Sequence, residues 1–135
     1  MNKEIQEKYM EYQMVAEQIQ ELQKQIQALS EKQTEVLSVI ESLDELKNTK
    51  EGKDILFPIS SGIFAKAKIQ NTEDLLVNVG GNVVVSKDIE GAKKLLQENI
   101  EDIKQTQVTI TAQTEKFAEK AQALEKELET ASKNV

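Results

Sequence analysis

Cysteine, histidine, tryptophan and arginine are all absent from this chain of 135 residues. Without cysteine or histidine there can be no disulfide, no thiol chemistry and no zinc site built on these ligands. Aromatic residues make up only 4% of the chain, against 39% hydrophobic residues in all. Because compact cores usually depend on aromatic bulk, this composition favours an elongated protein with thin packing.

Positive charge is scarce relative to negative charge, since 17 lysines face 24 acidic residues and the net charge is −7. This balance argues against a nucleic-acid partner, which needs a basic stripe, and against an anionic membrane surface. No apolar run reaches about 18 residues, so no transmembrane helix is predicted. The segment Met1–Met10 is polar and lacks the apolar stretch of a secretory signal. We therefore expect a cytoplasmic protein.

The first third of the chain has the pattern of a coiled-coil helix, without glycine or proline from Ile5 to Leu46. Two sets of positions with a period of seven hold mostly apolar residues: Ile5, Tyr12, Ile19, Ile26, Gln33, Ile40 and Lys47, and Lys8, Val15, Leu22, Leu29, Val36 and Leu43. A helix over this segment would be roughly 65–70 Å long. So narrow a stripe requires a partner helix.

The last third of the chain supplies that partner. Asp88 can cap a second helix, with Glu90 in its first turn. One apolar set is complete and its companion is mixed: Ile89, Leu96, Ile103, Ile110, Phe117, Leu124 and Ala131, and Lys93, Ile100, Gln107, Thr114, Ala121, Leu128 and Val135. The two segments have nearly equal lengths, so they can pair with each other in an antiparallel orientation.

The equal lengths also predict which residues meet. The expected neighbours are Lys47 and Ile89, Ile40 and Leu96, Ile26 and Ile110, Ile19 and Phe117, Tyr12 and Leu124, and Ile5 and Ala131. In the middle of this pairing Leu29 would face Gln107 and Leu22 would face Thr114. We expect loose packing there, and the polar residues can set the register or allow bending.

About forty residues between the helices read as two β-hairpins. Ile55–Ile69 has a turn at Ser60-Ser61-Gly62, and Leu75–Lys87 has a turn around Gly80-Gly81. The second loop can hold two or three residues, and the sequence alone does not fix its register. Two such hairpins cannot bury their own apolar side chains and would aggregate if left exposed. We therefore predict that they join the hairpins of other subunits through Ile55, Phe57, Ile59, Ile63, Phe64, Leu76, Val77, Val79, Val83, Val84 and Val85.

No catalytic or cofactor-binding constellation is evident. Acidic pairs such as Asp44/Glu45 belong on polar helix faces, and Gly80-Gly81 has none of the residues that make a phosphate loop. We expect no enzyme activity, no metal and no cofactor. The fold class that this pattern predicts is α+β: a long antiparallel two-helix coiled coil with two β-hairpins that join an oligomeric β-barrel.

A cluster near the start of the first helix favours binding of other chains. Flexible methionines beside tyrosines suit promiscuous apolar contacts, although extra packing between the helix ends is an alternative. In the predicted antiparallel pairing, the C-terminal end of the second helix would lie beside this cluster. The residues predicted to bind a substrate are Ile5, Tyr9, Met10, Tyr12, Met14, Leu124, Leu128 and Val135.

The hairpin sequences Ile55-Leu-Phe-Pro-Ile-Ser-Ser-Gly-Ile-Phe-Ala-Lys-Ala-Lys-Ile69 and Leu75-Leu-Val-Asn-Val-Gly-Gly-Asn-Val-Val-Val-Ser-Lys87 between two helices resemble the α-class prefoldin subunit of archaeal type. The likeness covers residues 1–135 as one prefoldin-like domain. Its parts would be an N-terminal helix over 1–48, two assembly hairpins over 53–87 and a C-terminal helix over 88–135. Two hairpins distinguish the α class from the β class, which has one.

The resemblance implies an ATP-independent chaperone that captures unfolded polypeptides at the coiled-coil tips and delivers them to a group II chaperonin. It implies a hexamer of two α and four β subunits, with no nucleic acid and no membrane as partner. A γ-type prefoldin, which assembles from one kind of subunit into filaments, has the same plan. That alternative would make the chain a structural scaffold or chaperone.

Overall fold

The computed structural model describes residues 3–133 and contains two long helices separated by four strands. The elements are α1 (Lys3–Lys47), β1 (Asp54–Ser60), β2 (Ile63–Lys68), β3 (Leu75–Gly80), β4 (Val83–Lys87) and α2 (Ile89–Lys133). The strands form two separate two-stranded sheets, β1 with β2 and β3 with β4. This element order confirms the predicted arrangement of two helices and two hairpins.

Two compact units make up the chain, and the first joins the N-terminal part of α1, up to Gln33, to α2 from Asp102 onward. Its buried residues all belong to the predicted apolar sets: Val15, Leu22, Ile110 and Leu124. The buried residues are seven apart on α1 and fourteen apart on α2, with the half-buried Phe117 midway between Ile110 and Leu124, and this spacing is what knobs-into-holes packing produces. The sequence pattern therefore located the core of this unit.

Polar contacts across the first unit follow the predicted alignment of the helices. The Lys8 ammonium lies 3.5 Å from a Glu127 carboxylate oxygen. The side-chain amide of Gln107 donates to the Ser30 hydroxyl over 3.4 Å, one residue from the predicted contact with Leu29. Lys120 reaches Glu11 over 3.1 Å.

The expectation of loose packing in this region is wrong at Leu22, which is buried opposite the predicted polar position Thr114. The Thr114 hydroxyl donates to the Ile110 carbonyl over 2.8 Å. Because this bond satisfies the hydroxyl within its own helix, Thr114 can face an apolar neighbour without requiring water. Leu29 and Gln107 are half-buried, so the loosely packed part of the helix–helix seam is shorter than expected.

The second unit, Thr34–Glu101, contains the two hairpins and the adjoining parts of both helices. Its buried residues are Val36, Ile89, Ala92 and Ile100. Lys47 pairs with Glu90 over 3.3 Å, next to its predicted neighbour Ile89. Asp44 pairs with Lys93 over 2.6 Å.

The Asp44–Lys93 contact changes the titration of the lysine. The hydrogen bond from Lys93 to Asp44 raises the pKa of the ammonium above 10.5, and the negative charges of Asp44 and Glu90 act in the same direction against partial desolvation. A raised pKa means that the folded state binds the proton more tightly than the unfolded state. The resulting stabilisation is complete at neutral pH and is lost as the pH rises through the folded-state value.

Both hairpins close with a two-residue turn in the left-handed region. Ser61 and Gly62 have φ of 51° and 81°, and Gly81 and Asn82 have φ of 57° and 63°. Positive φ at both central residues is the pattern of a type I′ turn, which matches strand twist. The second turn is therefore Gly81-Asn82 and not Gly80-Gly81 as expected, because Asn tolerates left-handed φ and Gly80 continues β3 to pair with Val83.

The start of α2 is fixed by Asp88, as predicted. Its carboxylate oxygen accepts the Gly91 backbone N–H at 2.7 Å, and its carbonyl accepts the Ala92 N–H at 3.0 Å. A β-carbon on Gly91 would lie 2.8 Å from the same carboxylate oxygen. The glycine therefore leaves room for the cap.

Replacing Leu22 by alanine should destabilise the chain by about 2–3 kcal/mol, since the side chain fills the helix–helix seam. Leu22 is 7% exposed, whereas Leu37 on the same helix is 47% exposed. Leu37→Ala is the matched control and should change the free energy of unfolding by less than about 0.5 kcal/mol. Urea titration of the purified variants measures both values, and equal losses would contradict the assignment of the seam.

Asp88→Ala should cost about 1 kcal/mol, because it removes the acceptor of the Gly91 N–H. Asp88→Asn keeps an acceptor oxygen in the same position and should remain within a few tenths of a kcal/mol of the original chain. Thermal unfolding followed by circular dichroism at 222 nm compares the two. A loss of the same size in both variants would show that charge, and not the capping bond, is the source of stability.

Candidate interaction surfaces

The first surface is formed by the apolar side chains of β1 and β2. Pairing places Phe57 opposite Ala65, Leu56 opposite Lys66 and Ile55 opposite Ala67. The large side chains among them are exposed, and so are three others near the turn: Ile59, Ile63 and Phe64. Only the small Ala65 and Ala67 are half-buried in these two strands.

The second hairpin is equally uncovered on one face. Leu76 is 78% exposed, and Val84 across from Asn78 is also exposed. On the other face Val77 pairs with Val85, and both are half-buried. Val79 and Val83 near the turn are exposed.

All the residues predicted for assembly are therefore exposed or half-buried, on two sheets that have no third strand within residues 3–133. Contiguous apolar surface of this kind marks an interaction site. Strand edges with unpaired backbone groups also favour the addition of further strands. The geometry of this hairpin surface is suited to association with other chains and has no feature of a catalytic site.

A second surface lies on α1 near the start of the described chain. Tyr9, Met10 and Met14 are exposed, and Met10 and Met14 are four residues apart, so they share one helix face. We call these three residues the terminal patch. A shallow apolar depression lined by Ile5, Gln6, Tyr9 and Met10 adjoins it.

The other residues predicted to bind a substrate lie in the helix–helix seam. Ile5, Tyr12 and Leu128 are half-buried, and Leu124 is only 6% exposed. These four would become available to another chain only where the helix ends separate. Val135 lies outside the described residues.

The sequence reading missed two prominent exposed residues. Leu56 belongs to β1, and its place in the apolar run from Ile55 was a usable signal. Val108 on α2 is 70% exposed and lies outside both apolar sets, so nothing in the heptad pattern marks it. Leu37 and Val39 are isolated exposed residues of the same kind on α1.

Two further features are absent from residues 3–133, a metal-binding cluster and a membrane-spanning helix. No group of three or more acidic, histidine or cysteine side chains there could hold a metal ion. No helix in the same range is long and apolar enough to cross a membrane.

Comparison with known families decides the class of this protein. The family described as prefoldin subunit matches residues 15–134, which is most of the chain. The chain belongs to the prefoldin family. Prefoldins are chaperones and not enzymes, and their subunits form oligomeric complexes, which agrees with a chain whose exposed features are two apolar surfaces.

The similar proteins include archaeal prefoldin α subunits. The prefoldin subunit alpha of Methanococcus aeolicus is 32% identical over 129 residues, which cover 96% of this chain and 88% of that protein. The prefoldin subunit alpha of Thermofilum pendens is 35% identical over 95 residues, covering 70% of this chain and 74% of that one. These matches confirm the resemblance to the archaeal α class.

A solved structure supports the fold of this prefoldin chain. The filamentous prefoldin of Methanocaldococcus jannaschii, determined by cryo-electron microscopy, superposes with a TM-score of 0.79. The alignment covers 85% of this chain and 95% of that chain, at 23% sequence identity. Two long helices with two antiparallel hairpins are therefore a known prefoldin arrangement.

Proposed function

We propose that this chain is the α-type subunit of a prefoldin that holds unfolded polypeptides without using ATP. The observation that carries the proposal is the uncovered apolar hairpin surface in a chain of the prefoldin family. Residues 1–135 act as one prefoldin-like domain in the cytoplasm. The hairpins serve assembly, and the helix ends serve capture.

The assembly partners in this proposal are one-hairpin β-type subunits, in a hexamer of two α and four β chains. The proposal is supported by the exposure of large apolar side chains on the hairpins, such as Phe57, Phe64 and Leu76. Their contact with water is unfavourable in free energy. Shared strands in a closed barrel would cover these side chains and pair the free edges at the same time.

Clients in this proposal are unfolded polypeptides that bind at the terminal patch. Met10 and Met14 can adapt to many apolar sequences because the thioether side chain is flexible and polarisable. One patch of three residues binds weakly, so useful affinity requires several subunits to hold one client together. The client then passes to a group II chaperonin, without a nucleotide step in this subunit.

A second candidate is a filament built from this chain alone, as in γ-type prefoldin. The specific observation that favours it is the structural likeness to a filamentous prefoldin. The similarity to proteins named prefoldin subunit alpha favours the hexamer. Native mass spectrometry of the chain, alone and mixed with a β-type subunit, separates the two: a discrete hexamer on mixing supports the first, and an open series of masses without the partner supports the second.

Leu76→Ser should weaken assembly at least tenfold, because it places a hydroxyl where an apolar anchor is buried by the partner. Val108→Ser is the matched control, since Val108 is similarly exposed but lies on α2. Native mass spectrometry across a dilution series gives the midpoint of assembly. Unchanged assembly of the Leu76 variant would count against the hairpin surface as the contact.

The double change Met10→Ser and Met14→Ser should reduce suppression of client aggregation several-fold and leave assembly intact. The reason is loss of apolar area at the capture site without any change in the seam, since both side chains are exposed. Light scattering of a chemically unfolded client, diluted into buffer with the assembled protein, provides the measurement. Leu37→Ser with Val39→Ser is the control and should suppress aggregation as well as the unmodified chain does.

A further inference from the structure

The sulfur atoms of this chain are all close to its N-terminus. The sequence has no cysteine, and its methionines are Met1, Met10 and Met14. Met1 lies outside the described residues. Met10 and Met14 both belong to the terminal patch, where they are 63% and 66% exposed. Every sulfur atom of residues 3–133 therefore lies on the surface that we propose for the capture of unfolded chains.

The other apolar surfaces of the chain contain no methionine. The buried residues of the helices are valine, leucine, isoleucine and alanine. The strands from Asp54 to Lys87 expose isoleucine, leucine, phenylalanine and valine, and no methionine occurs in that segment. A reagent that acts on thioethers alone would therefore change the terminal patch and leave both the seam and the hairpin surface as they are.

The thioether of methionine is open to one such reaction, its oxidation to a sulfoxide, which reductases can reverse. A lone pair of Sδ attacks one oxygen of a hydroperoxide, the O–O bond breaks, and that oxygen becomes bonded to sulfur. The hydroperoxide proton passes to the leaving oxygen, which departs as water or as an alcohol. The sulfur thus loses two electrons and the peroxide gains them. Because Met10 and Met14 are both well exposed, a peroxide in solution can reach each Sδ.

A sulfoxide on the terminal patch would affect the free chain and the client complex differently. In the free chain water can hydrate the new oxygen, because both side chains point into solvent and take no part in the seam. Beneath an apolar client segment the same oxygen would lose its water without gaining a hydrogen-bond donor. Burial of an unpaired polar group is unfavourable, so oxidation should weaken capture without weakening the fold.

The position of the two methionines on α1 makes their effects combine. Side chains four residues apart on a helix are neighbours, with about 5–6 Å between their β-carbons, so both sulfoxides would meet the same client segment. Met10 also lines the shallow apolar depression formed with Ile5, Gln6 and Tyr9. Its sulfoxide would add a polar oxygen to that depression.

We propose that Met10 and Met14 form a site of reversible oxidation, at which a hydroperoxide produces two sulfoxides and thereby weakens the capture of unfolded chains without altering assembly. A thiol-dependent methionine sulfoxide reductase restores each thioether: two thiols become a disulfide, and the sulfoxide oxygen leaves as water. This inference rests on the proposed capture at the terminal patch and adds a chemical control of that site.

Oxidation of the isolated chain before assembly tests the proposal and spares the partner. The chain is treated with hydrogen peroxide, the peroxide is removed with catalase, and an untreated β-type subunit is then added. Peptide mass spectrometry should find one added oxygen at Met10 and one at Met14, formed at rates within about threefold of that of free methionine. Native mass spectrometry should give the same assembly with and without oxidation.

Light scattering of an unfolded client then measures capture by the two assemblies. The oxidised assembly should require roughly fivefold more protein to halve client aggregation, because each sulfoxide would be buried without a donor. Treatment of the oxidised chain with reductases for both sulfoxide epimers and a dithiol should restore the original value.

The double change Met10→Leu and Met14→Leu is the matched control, because leucine is apolar and contains no sulfur. Each preparation of this variant is compared with itself, and peroxide should not change the protein concentration that it requires. The variant retains Met1, so an effect of oxidation at that residue would appear here as well.

The outcomes separate this inference from the proposed function. A peroxide-dependent loss of capture that the reductases reverse, and that the leucine variant does not show, supports it. Undiminished capture by a chain that carries both sulfoxides overturns this inference alone, as does an equal loss in the leucine variant or a loss of assembly after oxidation. If the untreated assembly does not suppress aggregation at all, both this inference and the proposed capture are overturned.

Discussion

The seam between α1 and α2 is the constraint on which the rest of the molecule depends. Each helix carries too narrow an apolar stripe to be stable alone in water, so the two must pair within one chain or with another copy. The intervening hairpins permit the antiparallel pairing, and cross-helix contacts such as Asp44–Lys93 hold its register. Once the seam is satisfied, the remaining apolar side chains have no place inside the chain.

This division of the apolar residues explains how a prefoldin subunit can fold and still expose apolar side chains. Medium-sized aliphatic side chains at heptad positions bury one another, as Val15, Leu22 and Ile110 do. Aromatic side chains in the strands, Phe57 and Phe64, stay exposed. Aliphatic side chains thus make up most of the buried seam, whereas the two phenylalanines of the strands remain uncovered in the described chain.

Much of this arrangement is predictable because heptad spacing and strand alternation are local properties. The seam from Val15 to Leu124 and the Asp88 cap follow from spacing and residue type alone. The turn at Gly81-Asn82 does not, because Gly80-Gly81 and Gly81-Asn82 are both compatible with a tight turn and only the strand register separates them. The burial of Leu22 was also not predicted, because a heptad pattern does not show that the Thr114 hydroxyl forms a hydrogen bond within its own helix.

The ion pairs between the helices have a consequence for the solutions in which this protein can work. Three of these ion pairs are solvent-accessible and are therefore screened by dissolved salt: Lys8–Glu127, Glu11–Lys120 and Lys47–Glu90. The screening length is about 8 Å at 0.15 M ionic strength and about 3 Å at 1 M. The seam itself is apolar and is not weakened in this way. Raising the ionic strength therefore weakens a contribution to helix register while leaving the helices paired, and it also reduces the repulsion between any two copies of this chain, each with a net charge of −7.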